Sequence, residues 1–308
     1  MGKWIPERPP YRRERRMAGY PLLAVFSLFF VFRLLCERGT LLAGRPELTL
    51  LLKLLLFALP VLLYFSLRRR FFPIAIRLRA PSPSVFSLLL FALLFALSAT
   101  TLLSVAFGGQ STLGNGFGAF NDFSGKSFWR QAFYLVAGAL LPAFLSPFFF
   151  IGTLCGEYER RGLLRALILP AVSFALFPFD PANFPAYLLL GFLLTLLFYA
   201  TDSLPAVIGF YGAYNLFLLF GGRYLTALFA FTGSPEILFF FSMLLALSSG
   251  FFFCRSAIRI YLERSEDEWP DPRRHVPFAV QFYTFLDALT DPAVLLSWAL
   301  AVAAFILL

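Results

Sequence analysis

The chain has 308 residues, of which 59% are hydrophobic and 14% charged, and its mean hydropathy is +0.78. That balance excludes a soluble domain, because apolar residues on every helix face would leave no side for water. The formal charge of +9 does not point to nucleic acid. Its arginines lie in short clusters between apolar blocks, where basic residues set membrane orientation and meet anionic head groups.

A helix rises about 1.5 Å per residue, so about 20 apolar residues cross the hydrocarbon core. Barrels need short alternating strands, and this chain has long continuous blocks instead. Nine spans are predicted, at roughly 20–36, 47–67, 84–107, 128–151, 163–179, 184–200, 204–220, 236–260 and 290–308. The fold class is therefore all-α, a polytopic helical membrane protein with about nine transmembrane helices.

Residues 1–19 form a basic tail, whose Arg12-Arg13-Glu14-Arg15-Arg16 run reads as a topology determinant. Residues 20–127 hold three spans and a Gly-rich loop from Gly108 to Ser127. The Gly114-Asn115-Gly116-Phe117-Gly118 run in that loop has no strand before it and no conventional helix start after it. It reads as a polar turn rather than a phosphate cradle. The first span ends in Arg33-Leu34-Leu35-Cys36-Glu37 with no small-residue cleavage site, so it stays attached. Arg33 and Glu37, four apart, are placed to pair on one face.

Residues 128–220 form a core block, and residues 221–308 add the last spans. Between those, Pro277 to Leu289 groups Phe278, Val280, Phe282, Phe285, Leu286 and Leu289 around Gln281 and Asp287. This predicts an amphipathic helix lying in the membrane interface. Cys36, Cys155 and Cys254 are scattered, without zinc spacing, and read as small buried apolar residues. With the N-terminus inside, 19 of the 26 basic residues fall on inner segments or the adjoining span ends. That bias predicts N-in, C-out topology.

Ionisable residues at membrane depth cost about 2.5–3.5 kcal/mol each on insertion scales and so usually have a task. Glu157, Glu159, Arg160 and Arg161 stand at the end of the fourth span. A helix leaving the membrane acquires such charges, and Glu157 is placed to pair with Arg161 at i,i+4. The surrounding sequence carries more than charge. It runs Gly156-Glu157-Tyr158-Glu159-Arg160-Arg161-Gly162, then Phe174-Ala175-Leu176-Phe177-Pro178, then Tyr211-Gly212-Ala213-Tyr214-Asn215. In order, spacing and membrane setting, this resembles the E-E-x-x-x-R, F-x-x-x-H and H-x-x-x-N motifs of the CPBP intramembrane proteases, the CAAX-protease and bacteriocin-processing family. Arg161-Gly162-Leu163-Leu164 matches the family's R-G-L-L ending, and Thr201-Asp202-Ser203-Leu204 resembles its T-G-S-L lead-in to the third motif. The resemblance covers about residues 128–220.

The resemblance implies a helical core in which a glutamate and histidines activate water for peptide hydrolysis while the asparagine helps to stabilise the oxyanion. Carried over position by position, the remnants are Glu157, Arg161, Phe174, Tyr211 and Asn215. Gly156 replaces the first glutamate, Pro178 the second motif's histidine and Tyr211 the third motif's. A phenol titrates near pH 10 and is a poor base at neutral pH. The segment between the first two motifs, Leu163 to Ser173, is shorter than the family's usual one. His275, the single histidine, lies far along the sequence from the core. A metal needs about three protein ligands, so no metal or other cofactor is expected.

The reading is a degenerate family member in a bacterial cytoplasmic membrane, binding a transmembrane or lipidated protein and the anionic head groups of membrane lipids. Two alternatives stay open. One is an active endopeptidase with Glu157 as general base and Tyr211 or Asn215 polarising the scissile carbonyl. The other is an unrelated transporter or channel, hinted at by Lys53, Pro60, Pro142 and Pro170.

Overall fold

The computed structural model describes residues 19–38, 46–71, 77–107, 127–159, 162–232, 235–267 and 278–307. The described residues form ten helices: α1 (Gly19–Arg38), α2 (Pro46–Phe71), α3 (Pro83–Ala106), α4 (Phe128–Glu159), α5 (Leu163–Leu176), α6 (Phe184–Thr201), α7 (Leu204–Thr232), α8 (Pro235–Asp267), α9 (Phe278–Leu289) and α10 (Pro292–Leu307). The only β-type pairing among them is an isolated bridge between Leu78 and Ser203. Helices α2, α3, α4, α6 and α8 contain stretches long and apolar enough to cross a membrane, and α1, α5 and α7 carry shorter apolar runs. The protein is a polytopic helical membrane protein. The segment expected to be an amphipathic helix is α9, bent by 66° from α10, with Phe278 and Tyr283 exposed and Ala288 buried.

Helix ends follow local chemistry. α5 stops at Leu176 rather than near 179: Phe177 keeps helical angles and its N–H still reaches the Ser173 carbonyl, but Pro178 has no N–H to continue the ladder. The chain then turns through Phe179 at φ 53°. α6 ends on Asp202, also left-handed at φ 53°, whose N–H reaches back to the Phe198 carbonyl. A short acidic side chain tolerates that conformation better than most. Ser203 Oγ then accepts from Ala206 N at 3.2 Å and caps the start of α7.

α4 is wound as π-helix over Leu135–Leu140 and Pro147–Cys155. Pro142 and Pro147 each remove an N–H donor, and widened turns are one way to re-satisfy the freed carbonyls. Thr153 Oγ1 donates to the Phe148 carbonyl, five residues back, at 3.0 Å.

The core is aromatic. Phe57 lies between Phe149 at 5.8 Å and Phe177 at 5.0 Å, and Phe26 meets Phe179 edge-on at 5.7 Å. These contacts join α1, α2, α4 and the end of α5. On the other side α3 packs on α8, with the Phe91 and Phe252 rings stacked at 5.2 Å. Lipid tails are as apolar as the side chains, so close packing and hydrogen bonds hold the bundle together.

Candidate functional site

The end of α4 carries the first motif. Gly156 offers no side chain. Glu157 accepts a hydrogen bond from the Tyr64 hydroxyl of α2 at 3.1 Å. Arg161 and its expected pairing with Glu157 lie outside the described residues. Two residues along, Glu159 pairs with Arg77, which comes from the segment between α2 and α3 and also pairs with Asp202. The Arg77 guanidinium stands 5.3 Å from the Phe198 ring centre and 5.8 Å from that of Tyr199. Burial alone would weaken its hold on the proton. The carboxylates of Glu159 and Asp202 more than offset this and raise its pKa above the ordinary value. The buried Arg165 at the start of α5 lies over the Tyr158 ring at 4.6 Å.

α9 closes this end from the side. Gln281 Oε1 accepts from Leu164 N at 3.4 Å, at the first turn of α5. Gly162, at φ 144°, sits where an added Cβ would be 3.3 Å from Thr284 Oγ1. Both the backbone conformation and the close approach favour glycine there.

The second and third motifs meet deeper in the bundle. Phe174 is 3% exposed and packs edge-on against Tyr211 at 5.6 Å and Phe150 at 5.8 Å. Tyr211 stacks with Tyr214 at 6.3 Å, and the Tyr214 hydroxyl donates to Thr100 Oγ1 at 3.1 Å. Asn215 is 2% exposed, and its side-chain amide is buried beside the Tyr211 phenol one turn earlier on α7. The Tyr187 hydroxyl of α6 is buried in the same way. At the Pro178 position, the backbone carbonyl accepts from Arg33 Nη1 of α1 at 3.1 Å.

Phe174, Tyr211 and Asn215 are thus brought together, and Glu157 is not with them. A Cβ on Gly152 would meet Leu204 at 2.9 Å, and one on Gly212 would meet Ala143 at 3.8 Å. These contacts set α4 and α7 antiparallel, with Gly152 level with Leu204. Tyr211 lies seven residues beyond Leu204 in one direction and Glu157 five beyond Gly152 in the other. At helical rise the two are about 18 Å apart along the bundle. Among the described residues no three His, Cys, Asp or Glu side chains come together as a ligand set, and His275 lies outside them.

Sequence reasoning missed the partners. Arg77 reads there only as a topology arginine, and Tyr64 falls in no motif. Their roles come from contacts between distant segments, which leave no local pattern. Comparison with family models matches residues 128–217 to the type II CAAX prenyl endopeptidase Rce1-like family. No curated protein and no solved structure matches the chain. The matched stretch starts with α4 and ends within α7, and so contains every motif position described above. Over residues 128–217, less than a third of its length, the chain is similar to the Rce1-like family of type II CAAX prenyl endopeptidases.

Proposed function

We propose that this chain is a family member that keeps the helical core without its hydrolytic site, and uses the core to bind a transmembrane or lipidated protein. The observation that carries the reading is the content of the motif positions: a glycine, a proline, a phenol and a carboxamide, with Glu157 hydrogen-bonded to Tyr64 at the far side of an aromatic layer. Water activation needs a general base or a metal within reach of the scissile bond. Asp180, on the α5–α6 turn, accepts from Asn183 Nδ2 at 2.8 Å and serves as a turn cap.

Two measurements test this. Elemental analysis of protein purified in mild detergent should find well below one zinc per chain. Cleavage of a membrane-anchored prenylated peptide should be undetectable in both the parent protein and Glu157→Gln. About one zinc per chain, or cleavage that Glu157→Gln abolishes, would establish the endopeptidase reading instead.

We further place the Glu159 end of the bundle in the cytoplasm of a bacterial cell, with the N-terminus inside and the C-terminus outside. Arg77, Arg79, Arg255 and Arg259 stand at or near that end, where each basic residue contributes about 1 kcal/mol of attraction to anionic head groups. Reporter fusions after Arg79 and Arg274 should read cytoplasm, and one after Leu308 should read the outer side. A cytoplasmic Leu308 would remove one crossing.

A further inference from the structure

We propose that residues 77–80 form a strap, fastened by Arg77, that closes the Glu159 end of the family core. Four sets of contacts hold it. The Arg77 guanidinium bridges Glu159, on the last turn of α4, and Asp202, in the α6–α7 turn. The same group lies over the Phe198 and Tyr199 rings of α6. The Arg77 carbonyl accepts from Leu204 N at 2.9 Å. The Arg79 carbonyl accepts from Ser203 Oγ at 2.5 Å, beside the Leu78–Ser203 bridge. One short segment from outside the matched core therefore ties the end of the first motif's helix to the start of the third motif's helix.

The charges make this a fastener rather than a passive contact. Glu159 and Asp202 are like charges held on one cation, with side chains 17% and 24% exposed. Removing Arg77 takes away the cation that the two carboxylates share across a partly dehydrated gap and lets water in beside them. Strap residues Leu78 and Arg79 are exposed, so the segment has no deep anchor apart from Arg77 and its backbone bonds. Behind it lies Cys155, fully buried one turn before Glu159, its Sγ donating to the Ala166 carbonyl of α5 at 3.3 Å. Release of Arg77 therefore opens a path from water to the α4–α5 packing. The inference stands whether the core binds or cleaves, because it concerns access alone.

The test uses full-length protein in detergent with Cys36→Ala and Cys254→Ala, leaving Cys155 as reporter. Its labelling by a water-soluble maleimide is followed by peptide mass spectrometry. Labelling should be slow in this background and at least tenfold faster with Arg77→Gln. A second reporter, Ala96→Cys in a Cys155→Ala chain, is buried within α3 and should stay slow in both. Leu78→Cys with Ser203→Cys places a disulfide across the bridge, where opposed strand residues lie within bonding reach. When oxidised, it should return Cys155 to slow labelling despite Arg77→Gln, and reduction should release it. Unchanged Cys155 labelling, equal acceleration at both reporters, or fast labelling with the disulfide closed would each overturn the strap.

Discussion

Gly191→Val should leave little monodisperse protein in mild detergent, and Gly191→Ala should melt well below the parent. Gly191 is buried on α6, facing α5. A Cβ there would lie 2.6 Å from the Ala171 carbonyl oxygen and 3.1 Å from the Ala171 Cα. These are backbone atoms, so no rotamer change relieves the clash, and the two helices must move apart. Small residues that allow close backbone approach are the main source of helix association in a membrane. Overpacking costs about 1–3 kcal/mol where side chains can adjust, and more where a helix must shift. The displacement would also carry Phe174 on α5 away from Tyr211 and loosen the deep motif cluster. Gly209→Ala is the internal comparison, since nothing lies within 4 Å of a Cβ at that position. Replacing a helical glycine by alanine in open space gains up to about 1 kcal/mol. Melting curves for the parent and the two alanine variants decide the matter. If Gly191→Ala melts with Gly209→Ala, the close approach of α5 and α6 is not a source of stability.

The helices were legible because hydropathy reports membrane depth directly. The α1, α3 and α6 ends lie within about two residues of the expected ones. α4, α7 and α8 run past their expected ends, to Glu159, Thr232 and Asp267. Hydropathy falls off at the interface, whereas a helix keeps closing its own backbone hydrogen bonds there. The order and spacing of the motifs were legible too, and the family match covers the same stretch. What the motifs now contact was not. Glu157 meets Tyr64 at a separation of 93 residues, and Arg77 meets Glu159 at 82. Periodicity and motif spacing carry no information at that range. The i,i+4 pairing of Glu157 with Arg161 lies outside the described residues and stays a sequence expectation. Of the Gly-rich loop from Gly108 to Ser127, residues 108–126 lie outside the described residues, as does His275, and stay a sequence expectation.

Arg33 should prove the costliest charge to remove from α1. The i,i+4 rule directs it to Glu37, whose side chain lies outside the described residues. In the structure its Nη1 donates to the Pro178 carbonyl at 3.1 Å and to the Phe179 carbonyl. These oxygens stand where α5 has ended and Phe179 is held at φ 53°, so the chain offers them no helical donor. The last carbonyls of a helix also carry its partial negative charge, which a guanidinium complements. Pro178 marks the second motif's vacant histidine position, and Arg33 pins it by its backbone. A hydrogen bond to a charged group is worth about 1.5–3 kcal/mol, and an unsatisfied carbonyl away from water costs several more. Arg33→Leu should therefore lose about 2–5 kcal/mol. Arg33→Lys should lose less, because both bonds come from one nitrogen that an ammonium can replace. Arg33→Gln, with a donor but no charge, should fall between. If the pairing with Glu37 were what mattered, Glu37→Gln would cost as much as Arg33→Leu. The expected result is a mild effect of Glu37→Gln and a melting order of parent, Lys, Gln, Leu. Equal losses for Glu37→Gln and Arg33→Leu would return Arg33 to its own helix and leave the Pro178 turn without its clamp.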